Sequence, residues 1–336
     1  MTTALMQQNK ARVWEFWQQL SNTNADTVRT VVERYVHQAV AWIGPHPINQ
    51  LHGSEQLVVG YWQPLLRSFP DLQRNTDVLL SGQWNGKDWV AATGYFTGTF
   101  ERDWLTIPKT GKSTRIRFGE FCSVESGKIG ETYVLLDLVD VMLQAGYRVL
   151  PPSRGDEAAV PGPTGGDGVL LTPQSDEATD ASMQLVLAMF GGLGRFDRAT
   201  VRSMNMEAFW HPHMHWYGPC GIGSARSLEH YYHVHASHFL QAFPDRGGGS
   251  HAARVAEGKY VASTGWPSVQ ATHTGEWLGC PPTGARIGMR VMDFWRRDGD
   301  KLAQNWVLID IIDIFRQFGI DLFARLEHAV DADRRP

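Results

Sequence analysis

The sequence predicts an α+β fold built twice in tandem. Three observations carry that expectation: short motifs that recur at a nearly constant spacing, the order of helical and strand-like patterns within each half, and a Pro/Gly-rich segment between the halves. Trp42-Ile43-Gly44-Pro45 returns 174 positions later as Trp216-Tyr217-Gly218-Pro219, and Phe69-Pro70-Asp71 returns at the same distance as Phe243-Pro244-Asp245. The run Trp89 to Gly94 is matched by Tyr260 to Gly265 at 171 positions. Arg117, Phe121, Lys128, Asp137, Asp140, Gln144 and Gly146 then recur at 173 as Arg290, Phe294, Lys301, Asp310, Asp313, Gln317 and Gly319. Self-similarity held over a whole half is the signature of a repeated unit, and 336 residues suit two domains of ordinary size. Domains are expected over 1–150 and 181–330, joined by 151–180.

Within each half, helical periodicity comes first. Residues 11–20 carry Val13, Trp14, Trp17 and Leu20 at the spacing of one helical face. Asp26 can cap a second helix reaching about residue 36, with Val28, Val31, Val32 and Tyr35 on one side. A short strand is centred on Trp42. Residues 54–68 suit a third helix, stopped at Phe69-Pro70 because the residue before proline is held out of the helical region. Strand-like runs follow at 77–80, 89–100, 114–124 and 130–136, with Gly127-Lys128 and Asp298-Gly299-Asp300-Lys301 as hairpin turns. A last helix begins near Asp137 and ends at Gly146, a favoured C-terminal residue. The second half repeats the plan. Helices grouped before strands predict an antiparallel sheet with helices packed on it. The 151–180 segment holds Pro161-Gly162-Pro163-Thr164-Gly165-Gly166-Asp167-Gly168 and almost no aromatics, so a flexible linker is expected.

Lys and Arg number 31 against 35 Asp and Glu, a net charge of −4, and no long basic run is present, so no nucleic-acid partner is expected. No apolar stretch approaches the ~18 residues of a membrane span, and residues 1–20 lack a signal-type apolar centre, so no membrane partner is expected. Three scattered cysteines, Cys122, Cys220 and Cys280, form neither a disulfide framework nor zinc spacing, which favours a reducing, cytoplasmic setting. The unusual abundance is of Trp and His, 13 each, with ten of the histidines after position 200.

The stretch His273-Thr274-Gly275 to Pro282-Thr283-Gly284, the Gly127-Lys128-Ile129 turn, and the Asp seven residues before Gln144-Ala145-Gly146 and before Gln317-Phe318-Gly319 together resemble the SnoaL-like polyketide (ester) cyclase family. The Trp-x-Gly-Pro strand and the Phe-Pro-Asp helix stop fit as well. The resemblance covers nearly all of both halves. It implies the nuclear-transport-factor-two-like fold: a cone-shaped α+β barrel of helices on a strongly curved antiparallel sheet, enclosing a pocket. It also implies that the two copies pack as an intramolecular pseudo-dimer; further homo-oligomerisation is left open. Family members include cyclases, isomerases, dehydratases and non-catalytic binders, so the fold alone does not decide the function.

The resemblance implies that Asp310, and Asp137 in the first copy, act as general acid/base in ring closure, which suits a carboxyl whose pKa an apolar pocket raises. Both are equally placed to cap a helix. Glu120 and Asp293 stand mid-strand among apolar residues, and because the resemblance implies that these strands border the cavity they are expected to line the pocket, with Arg117 and Arg290 three residues earlier on the opposite face. His215, Trp216, His235 and His273 are expected as the second pocket's wall, joined by Trp306; Trp42 and Tyr133 are the first copy's candidates. One histidine could polarise a carbonyl. His211, His213 and His215 alternate on one strand face, and His230, His233, His235 and His238 crowd the next helix, but no metal site is expected from this spacing. The leading expectation is a cofactor-independent cyclase or related lyase/isomerase acting on a small hydrophobic carbonyl compound. The alternatives are a non-catalytic small-molecule binder or scaffold and, less favoured, a His-dependent metalloenzyme.

Overall fold

Residues 4–333 are described by the computed structural model of the chain. Helix α1 (Ala4–Leu20) buries Val13, Phe16, Trp17 and Leu20, and α2 (Val28–Tyr35) buries Val28, Val32 and Tyr35, each a single apolar face. Strand β1 (Val36–Ile43) and the short β2 (Gln50–His52) follow. A continuous helix then runs through α3 (Gly53–Leu57), a π turn at Val58–Trp62 and α4 (Gln63–Ser68). Four long strands come next: β3 (Gln73–Trp84), β4 (Lys87–Thr99), β5 (Ser113–Glu125) and β6 (Lys128–Leu136). Helix α5 (Leu138–Gln144) closes the unit, with the Asp137 carboxylate accepting from Asp140 N at 3.2 Å as its cap.

The second half repeats this order. Helix α6 (Asp176–Leu193) corresponds to α1, and two 3₁₀ turns lead to β7 (Trp210–Tyr217) and β8 (Ser224–Ala225). The helix α7 (Leu228–Tyr231) passes through a π turn at Tyr232–Ala236 into α8 (Ser237–Ala242), so both copies carry the π turn at matched positions. Strands β9 (His251–Glu257), β10 (Tyr260–Thr272), β11 (Arg286–Asp298) and β12 (Lys301–Ile309) precede α9 (Ile311–Gln317) and α10 (Leu322–Asp333). The sheet orders are β2-β1-β6-β5-β4-β3 and β8-β7-β12-β11-β10-β9, the same topology twice. The change of offset from 171 to 173 falls where β10 shifts register between Gly265 and Val269, around Trp266-Pro267-Ser268.

One expectation is corrected: the sheets are mixed. β1 pairs parallel to β6, and β7 parallel to β12, because these partners are joined not by a tight turn but through a helix and the meander, which return the chain in the same direction.

The two sheets pack back to back. Val78, Leu80, Trp89, Phe121 and Leu135 of one meet Tyr217, Val255, Tyr260, Met292, Phe294, Trp306 and Leu308 of the other. Phe121 and Phe294, matched residues of the two copies, lie with ring centroids 5.6 Å apart, which places a pseudo-twofold axis between them. At Gly82 a Cβ would stand 2.8 Å from Val255 Cβ, so the close approach requires glycine. Beside this apolar seam, Lys10 Nζ bonds Glu257 at 2.6 Å, and Glu257 also accepts from Ser81 N at 2.8 Å, so the buried carboxylate of the second half is satisfied by donors of the first.

The segment after Leu150 has no helix until Asp176, but it is not a slack linker. Asp156 exchanges backbone hydrogen bonds with Ser224, Leu79 N donates to Gly168 O at 2.8 Å, and Leu170 N donates to Leu79 O at 3.0 Å. Trp306 Nε1 donates to Pro161 O at 2.9 Å, and Tyr260 donates to Asp167 Oδ1 at 2.6 Å. The segment is poor in core residues, with Leu170 and Val160 packed at the seam, and backbone groups together with the carboxylates of Asp156 and Asp167 hold this strap against both sheets.

Candidate functional site

The period-two alternation of the strands separates two buried faces in the second domain. Met292, Phe294, Trp306 and Leu308 face the other sheet. Val291, Asp293 and Trp295 of β11, Asn305 and Val307 of β12, and Trp210 and Trp216 of β7 face the opposite way, toward the helices. Together with Met189, Phe190 and Leu193 of α6 and Tyr231, His235 and Phe239 of the α7–α8 helix, they enclose a cavity of about 510 Å³. Its size and apolar lining suit a small-molecule site. Its polar groups fall into two sets. Asp293, Asn305, His235 and Tyr231 lie along the walls. Arg246, the Gly247–Gly249 turn, His251 and Arg254 form one end.

Burial pushes the Asp293 carboxyl up to about 7, against a single hydrogen bond from Asn305 Nδ2 at 3.3 Å and the attraction of Arg254. His235 stacks on Trp216 with centroids 4.6 Å apart and an interplanar angle of 13°, and burial pushes its pKa down to about 3, so the imidazole is neutral at pH 7. Burial likewise pushes Tyr231 up to about 12 and His251 down to about 4. The cavity therefore offers a carboxyl able to exchange a proton near neutrality beside neutral hydrogen-bonding groups. The sign for stability follows. The folded protein holds a proton on Asp293 that the unfolded chain, with an ordinary carboxylate pKa, has already released. Stability from this group is complete at pH below about 4 and is lost as the pH rises through about 7. In thermal melts from pH 5 to pH 8, Asp293→Asn is expected to flatten the decline; an unchanged slope would show that the carboxyl titrates normally.

Of the sequence-predicted residues, Trp216, His235 and Asp293 line this cavity. The others do not. Asp310 caps α9, accepting from Asp313 N at 3.1 Å, and is bonded by Arg290 Nη1 at 3.1 Å and by His46 N of the first domain at 3.0 Å. Burial still pushes it up to about 6. Asp137 mirrors it, accepting from Cys220 N of the second domain at 2.8 Å, and burial raises its pKa as well. The two expected catalytic aspartates are thus reciprocal interdomain anchors, because the strand-to-helix corner that holds each lies at the seam. Arg117 joins them there, donating to Gly218 O at 2.9 Å and Tyr217 O at 3.0 Å.

His273 is fully buried in apolar core, stacked on Phe318 at 3.9 Å. His215 points away from the cavity and stacks on Tyr217. Trp306 and Tyr133 sit at the seam, the latter with its ring 5.4 Å from Trp266. Among the described residues, no three His, Cys, Asp or Glu side chains converge as a metal ion would need.

The first domain fills the same space with its own side chains. Trp42 meets Tyr61 at 4.6 Å, as Trp216 meets His235. Glu120, matched to Asp293, is ion-paired with Arg74 at 2.6 Å. The Arg74 guanidinium lies 3.8 Å from the Trp17 ring centroid and 4.0 Å from that of Phe118. Phe96 and Phe118 correspond to Val269 and Val291, while Leu57, Leu65 and Cys122 correspond to the cavity-lining rings Tyr231, Phe239 and Trp295, so the two copies trade ring positions around the same space. Asn305, Arg246, His251 and Arg254, which sequence reasoning missed, belong to no motif that would have singled them out.

No helix of the described residues is long and apolar enough to cross a membrane. No curated protein sequence matches the chain significantly. Among solved structures it is similar to a candidate SnoaL-like polyketide cyclase of Jannaschia sp. CCS1, at 20% identity over 42% of this chain and 92% of that one, TM-score 0.36. It is similar also to IdmH, a candidate polyketide cyclase of Streptomyces antibioticus, at 18% identity over 41% and 99%, TM-score 0.35. A third is an NTF2-like protein of Burkholderia thailandensis E264, at 20% identity over 41% and 97%, TM-score 0.32. The model of the SnoaL-like polyketide cyclases matches residues 11–145 and 198–318, more than half of the sequence and both halves of the repeat, and the chain therefore belongs to that family.

Proposed function

We propose that the second domain is the working half of the protein: a cofactor-independent cyclase, or a related lyase or isomerase, that takes an apolar carbonyl compound into its cavity. The observation that carries this reading is Asp293, a carboxyl held near pKa 7 inside an apolar cavity. As carboxylate it can take a proton from carbon beside a carbonyl; as acid it returns one to the oxygen or carbon of the product. Tyr231 donates a hydrogen bond toward an oxygen on which charge develops, and so does neutral His235 in its N–H tautomer; Trp216 and Trp295 offer faces for a flat substrate. The first domain, with Arg74 and Glu120 occupying the matched space, serves as the scaffold that backs the second sheet.

The test is turnover of a panel of apolar β-dicarbonyl and methyl-ester compounds. Asp293→Asn is expected to lower kcat by about 10²- to 10⁴-fold, the usual worth of a positioned proton-transfer group, with binding retained. Asp310→Asn is expected to lower the melting temperature with kcat little changed. Binding without turnover by the unaltered protein would favour the non-catalytic binder, and a kcat loss confined to Asp310→Asn would return catalysis to the seam.

A further inference from the structure

We infer that the cavity takes an apolar ligand bearing one carboxylate, and that Arg254 is the group that binds it. This rests on the reading of the cavity as the ligand site, and it names the class of compound.

A guanidinium drawn partly out of water needs acceptors for the donors it buries, because their desolvation is otherwise uncompensated. The first domain meets that need with Glu120 on Arg74. The second does not. Arg254 lines the cavity, its Nε is buried without a hydrogen-bond partner, and among the described residues no carboxylate stands within ion-pair distance of it. It is held by rings instead, 4.7 Å from the centroid of Phe190 and 5.5 Å from that of Trp84, the latter reaching over from the first domain. Arg246, at the same end, donates only to Leu193 O at 3.0 Å and, weakly, to Met204 Sδ at 3.8 Å. Asp293 is the one carboxyl lining this cavity, and it does not neutralise either arginine by direct contact. The end of the cavity is thus a positive site with planar donors unspent, and a planar guanidinium is suited to a carboxylate. The remaining walls are mostly apolar and aromatic, broken by Asp293, Asn305, His235 and Tyr231, which suits a largely apolar, flat ligand body.

The experiment is equilibrium binding of anthracene-2-carboxylate and its methyl ester to the full chain, read by quenching of tryptophan fluorescence, since Trp210, Trp216 and Trp295 line the cavity. The unaltered protein is expected to bind the acid at least about tenfold tighter than the ester, the worth of one charge-assisted hydrogen bond. Arg254→Met is expected to abolish that preference and leave the ester's affinity unchanged. Arg254→Gln serves if the first variant folds poorly. Equal affinity for acid and ester in the unaltered protein, or a preference that survives both substitutions, overturns the carboxylate assignment and leaves the cavity reading standing. Failure of both compounds to bind overturns the cavity reading, and this inference with it.

Discussion

Glu120→Ala is expected to destabilise the protein by about 3–5 kcal/mol, the range for removing one partner of a buried ion pair. The substitution leaves the Arg74 guanidinium between Trp17 and Phe118 with its charge unanswered, and Arg74 Nε and Nη2 already lack partners. The matched change in the second domain, Asp293→Asn, is expected to do the reverse at pH 8. There the carboxyl is ionised in an apolar cavity, an arrangement that burial opposes, and the amide removes that opposition while keeping the Asn305 contact. Denaturant midpoints of the two variants at pH 8 should therefore move in opposite directions. Losses of similar size would mean that both carboxylates are structural and that the two copies are equivalent after all. Double replacement of Arg74 and Glu120 by apolar residues of similar volume is expected to recover most of the loss, because the cost lies in the unpaired charge.

The second large effect is expected at Trp306→Ala, about 3–5 kcal/mol for a fully buried aromatic truncated where the surroundings cannot collapse. Trp306 lies 1% exposed between the sheets, against Tyr217 at 5.5 Å, and its indole N–H holds Pro161 of the strap. The substitution removes ring volume from the seam and a hydrogen bond from the strap together. Limited proteolysis should then cut within 152–175 much faster than in the unaltered protein, while the lining of the second cavity, on the other face of β12, is unchanged. Unchanged strap cleavage with the full stability loss would show that backbone bonds such as Leu79 N to Gly168 O hold the strap without help from the indole.

The strap shows where composition misleads. Its residues carry little apolar area, and area is what composition measures. What fixes it is hydrogen bonding to strand edges that exist only after both sheets have formed. The Asp310 and Asp137 expectation met a related limit. The local pattern placed each correctly at a strand-to-helix corner and at a helix cap, and burial raises both pKa values as expected. The pattern says nothing about what stands opposite the corner, which is the other domain's Gly-Pro loop.

By itself the sequence determined the duplication, the order of helices and strands, the hairpin turns and the family, because each rests on local spacing or on a repeat that can be laid on itself. Of the residues it suggested for a pocket, Trp216, His235 and Asp293 line the second cavity. Only the tertiary structure decided which face of each strand was which. Both faces are apolar, one packed on helices and one on the second sheet, so alternation defines two sets without saying which encloses a cavity, and Trp306 fell on the wrong side. Tertiary structure also decided what the matched space holds in each copy: Arg74 paired with Glu120 in the first, and the lining around Asp293 in the second. That outcome depends on side chains from distant segments converging on one space.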